Sequence, residues 1–237
     1  MPLPAGGGEP PVSPEWGRAI RSVSSLMTSL FNDIAENPDC FRRLTIAADG
    51  SAQRSALLTL VERAQAVDPS FLVHSRNVAA LSTRIGKALG LGRRELELLE
   101  FAAAVHDVGK IGVPPAVIAK RGPLDEEEWA CMRRHPSEGE RLLEPHVGSP
   151  EILAIVRSHH ERWDGSGYPD GLVGDQIPLG ARIVAVADAF TAMVEPRPYR
   201  ASRGRTVARA ELLGQAGSQF DLLCARAGFG VTARAAA

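Results

Sequence analysis

His159-His160-Glu161-Arg162-Trp163-Asp164-Gly165-Ser166-Gly167-Tyr168-Pro169 is the stretch on which the reading of this chain turns. It closes an apolar helical pattern in which Ile152, Ile155, Val156 and His159 fall at i, i+3, i+4 and i+7, so His159 lies on the buried stripe of its helix. A neutral imidazole there must satisfy two ring nitrogens, one by donating and one by accepting. For a single buried histidine, an ordinary hydrogen-bonded place in the core meets that need. Two adjacent histidines running into a glycine-rich turn are harder to satisfy, and a metal ion answers the accepting nitrogen.

The pattern recurs along the chain. Leu96 to Val105 is apolar nearly all round, the mark of a helix buried on most sides, and it runs into His106-Asp107 with Gly109 placed to act as its C-cap. An ionised aspartate at the end of such a helix is costly unless it is paired or bound to a cation. Val184, Ala187 and Asp188 share a helical face; taken singly, Asp188 reads equally well as a helix cap or a buried salt-bridge partner. The coincidence of residue types shifts that balance. His74, His106, His135, His159 and His160 all fall at the ends or faces of expected helices, which leaves His146 as the surface histidine. Imidazoles and carboxylates without thiolates suit iron or manganese, with nickel, cobalt and zinc also open. Together with Asp107 and Asp188 they exceed what one ion needs. Two ions sharing a carboxylate would use them all, and Asp107 is the expected bridge.

In the order His74, His106-Asp107-Val108-Gly109-Lys110, His135, His159-His160, Asp188, the chain resembles the HD phosphohydrolase superfamily. The string HHERWDGSGYP makes it similar to the HD-GYP subfamily of bacterial cyclic di-GMP phosphodiesterases, and the likeness runs from about Asp68 to Asp221. The resemblance implies an all-α HD-domain helical bundle with a metal site between helices. It implies that His74, His106, Asp107 and Asp188 hold one divalent metal ion, and His135, His159 and His160, with Asp107 bridging, the other. Lys110 corresponds to the family's lysine beside the attacking water and scissile phosphate; Arg197 and Arg200 match basic positions that contact the nucleotide. Tyr168, in the loop Gly167-Tyr168-Pro169, flanks the substrate, and in relatives this loop can contact partner proteins such as diguanylate cyclase domains. Relatives with a third metal carry a Glu one helical turn before the first ligand His. Ser70 stands there, which points to two metals and to linear pGpG as the product in preference to GMP. Phe220-Asp221-Leu222 replaces the family's Phe-Asp-Pro.

The expected chemistry follows from charge. Two cations acidify a bridging water, orient the resulting hydroxide in line and neutralise the phosphoryl oxygens, while Lys110, Arg197 and Arg200 add fixed positive charge. Hydrolysis of a related cyclic dinucleotide is the second enzymatic reading; a non-catalytic nucleotide sensor or cyclase-docking module is the third. Intact ligands and Lys110 weigh against the sensor.

The remaining composition bounds the setting. With 237 residues, 44% hydrophobic and 23% charged, the chain has the make-up of a soluble globular protein with one large core. A net charge of -1 gives no ground for DNA or RNA binding. Cys40, Cys131 and Cys224 form no C-x-x-C pair, which fits a reducing cytoplasm, and neither a membrane helix nor a signal peptide is expected. Residues 1–14, rich in Gly and Pro, read as disordered. Residues 15–67 read as helices that serve in packing, dimerisation or regulation, or that complete the core; 68–226 form the HD-GYP domain and 227–237 a tail. No receiver-like alternation of strands and helices precedes the HD region. Ile111-Gly112-Val113-Pro114-Pro115 reads as an extended loop. Glu126, Glu127 and Glu128 read as a solvated helix start rather than as ligands. Trp129 and Trp163 read as core residues, with guanine stacking as the alternative.

Overall fold

The structure, a computed structural model, describes residues 52–195 and 203–230. Among these residues the regular structure is helical, with two isolated bridges, Asp164 to Val173 and Ala216 to Phe220, and no strand. The α-helices are α1 (Ala52–Val67), α2 (Phe71–Ala88), α3 (Arg93–Val105), α4 (Pro115–Ile118), α5 (Glu126–Met132), α6 (His135–Leu143), α7 (Pro150–Ser158), α8 (Leu179–Val194), α9 (Arg205–Gly214) and α10 (Leu222–Phe229). A 3-10 helix, Val108–Gly112, follows α3. None of these helices is long and apolar enough to cross a membrane.

Local chemistry sets most of the ends. Asp125 accepts a hydrogen bond from the Glu128 N–H while Glu128 accepts one from the Asp125 N–H, so the acidic run is a capping box. Pro136 and Pro150 stand in the first turns of α6 and α7, where a missing N–H costs nothing. Asp221 caps α10 by accepting from Leu223 and Cys224, so that helix starts without the family's proline. The helix then runs to Phe229, whose ring packs on Phe190 at 4.4 Å; the expected tail therefore starts too early, because residues 227–229 are helical.

Val78, Ala79, Leu81 and Ile85 of α2 pack against α3 and α8, the latter through Ile183, Val184, Val186 and Ala187. Leu57, Leu58, Leu60, Val61 and Ala64 of α1 belong to the same core. The expectations for residues 1–51 lie outside the described residues.

Two further local expectations are corrected. Gly109 is not the C-cap of α3; His106 takes that position. Gly109 is needed because a Cβ on it would lie 1.9 Å from the carbonyl oxygen of His135 and 2.5 Å from the Gly139 nitrogen. The 3-10 helix thus rests backbone to backbone on α6. Ile111 and Gly112 also belong to that 3-10 helix, so the extended segment shrinks to Val113-Pro114 before α4.

Candidate metal centre

Three of the histidines sit where a helix ends or begins, within reach of a carbonyl left over by a final turn. His106 follows α3 and donates from Nδ1 to the Ala103 carbonyl at 2.8 Å. His159 follows α7 and donates to Val156 at 2.6 Å; His135 opens α6 and donates to Met132, the last residue of α5, at 2.7 Å. A carbonyl can only accept, so each Nδ1 carries the proton, and in the neutral ring Nε2 is left as a lone pair. Those lone pairs converge. Nε2 of His135 and Nε2 of His159 stand 3.2 Å apart, and the buried Nε2 of His106 has no hydrogen-bond partner.

Such an arrangement fits a cation, which supplies what the orphaned nitrogens lack. Burial holds the pKa values of His106 and His159 below the usual imidazole value, and burial followed by His135 takes His160 down to about 3. These rings are neutral and ready to coordinate near pH 7.

Asp107 joins two donor groups. One ligand atom from each of Asp107, His135, His159 and His160 lie within 4.8 Å of one another, and so do those of His74, His106 and Asp107. Asp107 Oδ1 is 3.2 Å from His135 Nε2 and 3.9 Å from His159 Nε2; its Oδ2 is 3.5 Å from His106 Nε2. Asp188 reaches the second group through Oδ1, 2.9 Å from Nε2 of His74. Burial would raise the Asp107 pKa, but the Lys110 ammonium, 2.6 Å from Oδ2, together with His106 and His135 outweighs it and holds the carboxyl ionised. The structure therefore brings His74, His106, Asp107, Lys110, His135, His159, His160 and Asp188 together. Arg197 and Arg200 lie outside the described residues.

The loop after His160 is built around Glu161, only 3% exposed, whose carboxylate accepts the N–H groups of Asp170, Gly171 and Leu172. Gly167 passes so close that a Cβ would be 2.3 Å from the Arg162 nitrogen. The turn lays the Tyr168 ring on His160, with centroids 5.0 Å apart and 30° between planes. The Ser70 hydroxyl donates to Asp68 Oδ1 on the exposed entry to α2. Trp129 is exposed, and Trp163 lies beneath the Arg182 guanidinium at 5.5 Å.

Three acidic residues escaped the sequence reading. Glu195 accepts from His74 Nδ1 at 3.0 Å, Asp68 stands 3.9 Å from Lys110 Nζ, and Glu161 splints the loop. Glu195 carried a usable signal, since it follows Asp188 by seven residues and so shares its helical face.

A family model described as HD domain matches residues 54–222. The chain is 43% identical over 175 residues to the cyclic di-GMP phosphodiesterase response regulator RpfG of Xanthomonas campestris pv. campestris, covering 72% of this chain and 45% of that protein. It is 45% identical over 130 residues to a cyclic di-GMP phosphodiesterase of Thermotoga maritima (54% and 35% covered). It is 38% identical over 150 residues to the 3'3'-cGAMP-specific phosphodiesterase 2 of Vibrio cholerae (62% and 29% covered). The chain thus spans less than half the length of these relatives. Among solved structures, an HDG"Y"P protein from Bdellovibrio bacteriovorus shares the fold with a TM-score of 0.59 at 20% identity, over 88% of this chain and 68% of that one.

Proposed function

This chain belongs to the HD-domain family, in its HD-GYP branch, and we propose that it is a metal-dependent phosphodiesterase that opens cyclic di-GMP to linear pGpG. The observation that carries this reading is the single carboxylate of Asp107 common to two convergent donor groups, with the Lys110 ammonium 2.6 Å from its Oδ2. His74, His106, Asp107 and Asp188 would hold one divalent ion, and Asp107, His135, His159 and His160 the second, iron or manganese suiting the donor set best. When bound, such ions supply Lewis acidity toward a phosphoryl oxygen and acidify a water.

The protein's own groups do the rest. Lys110 stays an ammonium, because Asp107 outweighs the burial that would lower its pKa, and it offers a fixed positive charge to the scissile phosphate. Asp107 orients that ammonium. Tyr168, stacked on His160, forms a wall of the site against which a nucleobase can rest. Arg197 and Arg200 are assigned to the outer phosphate oxygens, and the Gly167-Tyr168-Pro169 loop to contact with a diguanylate cyclase. The cysteine usage suits a reducing cytoplasm. A second reading, a 3'3'-cGAMP substrate, is favoured by the Vibrio cholerae relatives named for that activity.

The test combines elemental analysis with a product assay on protein reconstituted anaerobically with Fe(II) or Mn(II). Wild type should hold two ions and release pGpG. Asp107→Ala should hold neither ion and cleave nothing, whereas Lys110→Ala should keep both ions and lose roughly 10²–10³-fold in kcat. An Asp107→Ala protein that still loads two ions, or a wild type that binds cyclic di-GMP without cleaving it under any of these metals, would refute the proposal.

A further inference from the structure

His74 is held differently from the three histidines whose Nδ1–H groups end on main-chain carbonyls. Its Nδ1 faces the Glu195 carboxylate at 3.0 Å, while its Nε2 faces Asp188 Oδ1 at 2.9 Å. Glu195 stands one residue past the end of α8 and seven after Asp188, so α8 offers α2 two carboxylates on one stripe, one to each side of the imidazole. The other oxygen of Glu195 is also engaged. Asn77, one turn beyond His74 on α2, donates to Oε1 at 2.6 Å. Two side chains of one helix therefore grip the same carboxylate, and it cannot rotate away from His74 without losing both contacts.

We propose that Glu195 is a positioning residue for His74. It keeps a proton on Nδ1 and, when Nε2 gives up its own proton to an incoming ion, aims that lone pair at the space beside Asp188, and so strengthens one of the two metal sites without touching the other. The inference rests on the metal-site reading above. It adds a device for a ligand that has no carbonyl three residues back to do the work. A carboxylate behind a coordinating imidazole fixes tautomer and ring orientation and raises basicity, and its loss typically weakens metal binding by about 10–100-fold. Glu195 also borders a cavity of about 340 Å³ shared with Arg84, Phe190 and Arg205, so shortening it enlarges an existing space and opens no new hole in the core.

Chelated full-length protein titrated with Mn(II), with free ion read by electron paramagnetic resonance, tests this directly. Wild type should show two binding events. Glu195→Ala should weaken one of them by about 10–100-fold and leave the other within about twofold. Glu195→Gln keeps an amide oxygen able to accept the same N–H, and should restore the weakened event to within a few-fold of wild type. Asn77→Ala should weaken that same event by less than Glu195→Ala does. Unchanged binding in Glu195→Ala, equal weakening of both events, or a glutamine variant no better than alanine would each overturn the inference. A wild type that binds fewer than two ions overturns it together with the metal-site reading. A wild type that loads two ions and leaves cyclic di-GMP intact overturns only the phosphodiesterase reading, and the alanine and glutamine titrations still decide the role of Glu195.

Discussion

His74 gives the ion-free protein a pH signature. Burial pushes its pKa down, but the Asp188 and Glu195 carboxylates outweigh burial and lift it to about 9. A folded-state pKa above the unfolded value of about 6.5 means that the stabilisation is complete below pH 6.5 and is lost as pH rises through 9. Urea unfolding of chelated protein should therefore show a decline of at most about 3 kcal/mol between pH 6.5 and pH 9.5. The decline should vanish in His74→Gln; an identical slope in that variant would remove His74 as its source. At this scale the sequence was informative wherever a neighbour lay within a few positions, as for His159 on the stripe of Ile152, Ile155 and Val156. The partnership of His74 with Glu195 spans 121 positions, and its one local trace was the seven-residue spacing of Glu195 from Asp188.

Helix ends are what make the centre. Ala103, Met132 and Val156 each offer a carbonyl three residues before the histidine it serves, so the ring orientations follow from where α3, α5 and α7 stop. Of the helix ends, the start of α5 was legible in the acidic run Glu126-Glu127-Glu128. Gly109 was misread because a glycine after an apolar helix commonly caps it, whereas here the demand comes from α6, a contact that chain order does not reveal. Gly109→Ala would force its Cβ into the His135 carbonyl, so the 3-10 helix and α6 must part. Overpacking of this kind costs about 1–3 kcal/mol. The same shift separates Asp107 from His135, so the variant should melt earlier and bind Mn(II) more weakly. Calorimetry and metal titration check the two effects, and a variant with wild-type values in both would show that the backbone contact is dispensable.

At the scale of the molecule, among the described residues, α1 to α3 and α6 to α10 share one core while α5 buries no residue, and the all-α architecture was legible from the family resemblance together with helical periodicities such as that of Ile152, Ile155, Val156 and His159. Where the core begins was not, since the apolar stripe of α1 looks the same whether it packs inside or serves another chain. Binding to the folded state alone stabilises by about 2.7 kcal/mol at a hundredfold excess of ligand over Kd. For a domain of this size that corresponds to roughly 5–11 °C in Tm per site. Removing metal with a chelator should lower Tm by at least this much, and restoring Mn(II) should recover it. A Tm indifferent to chelation would mean that the folded chain gains nothing from cations.

Lys110, 2.6 Å from the shared carboxylate, has a consequence for the emptied protein. Its ammonium serves as an understudy for the absent ions, so the centre is never left with naked negative charge. Filling is then a swap of one positive partner for stronger ones, and stripping the ions should yield a dormant, intact molecule that revives on resupply.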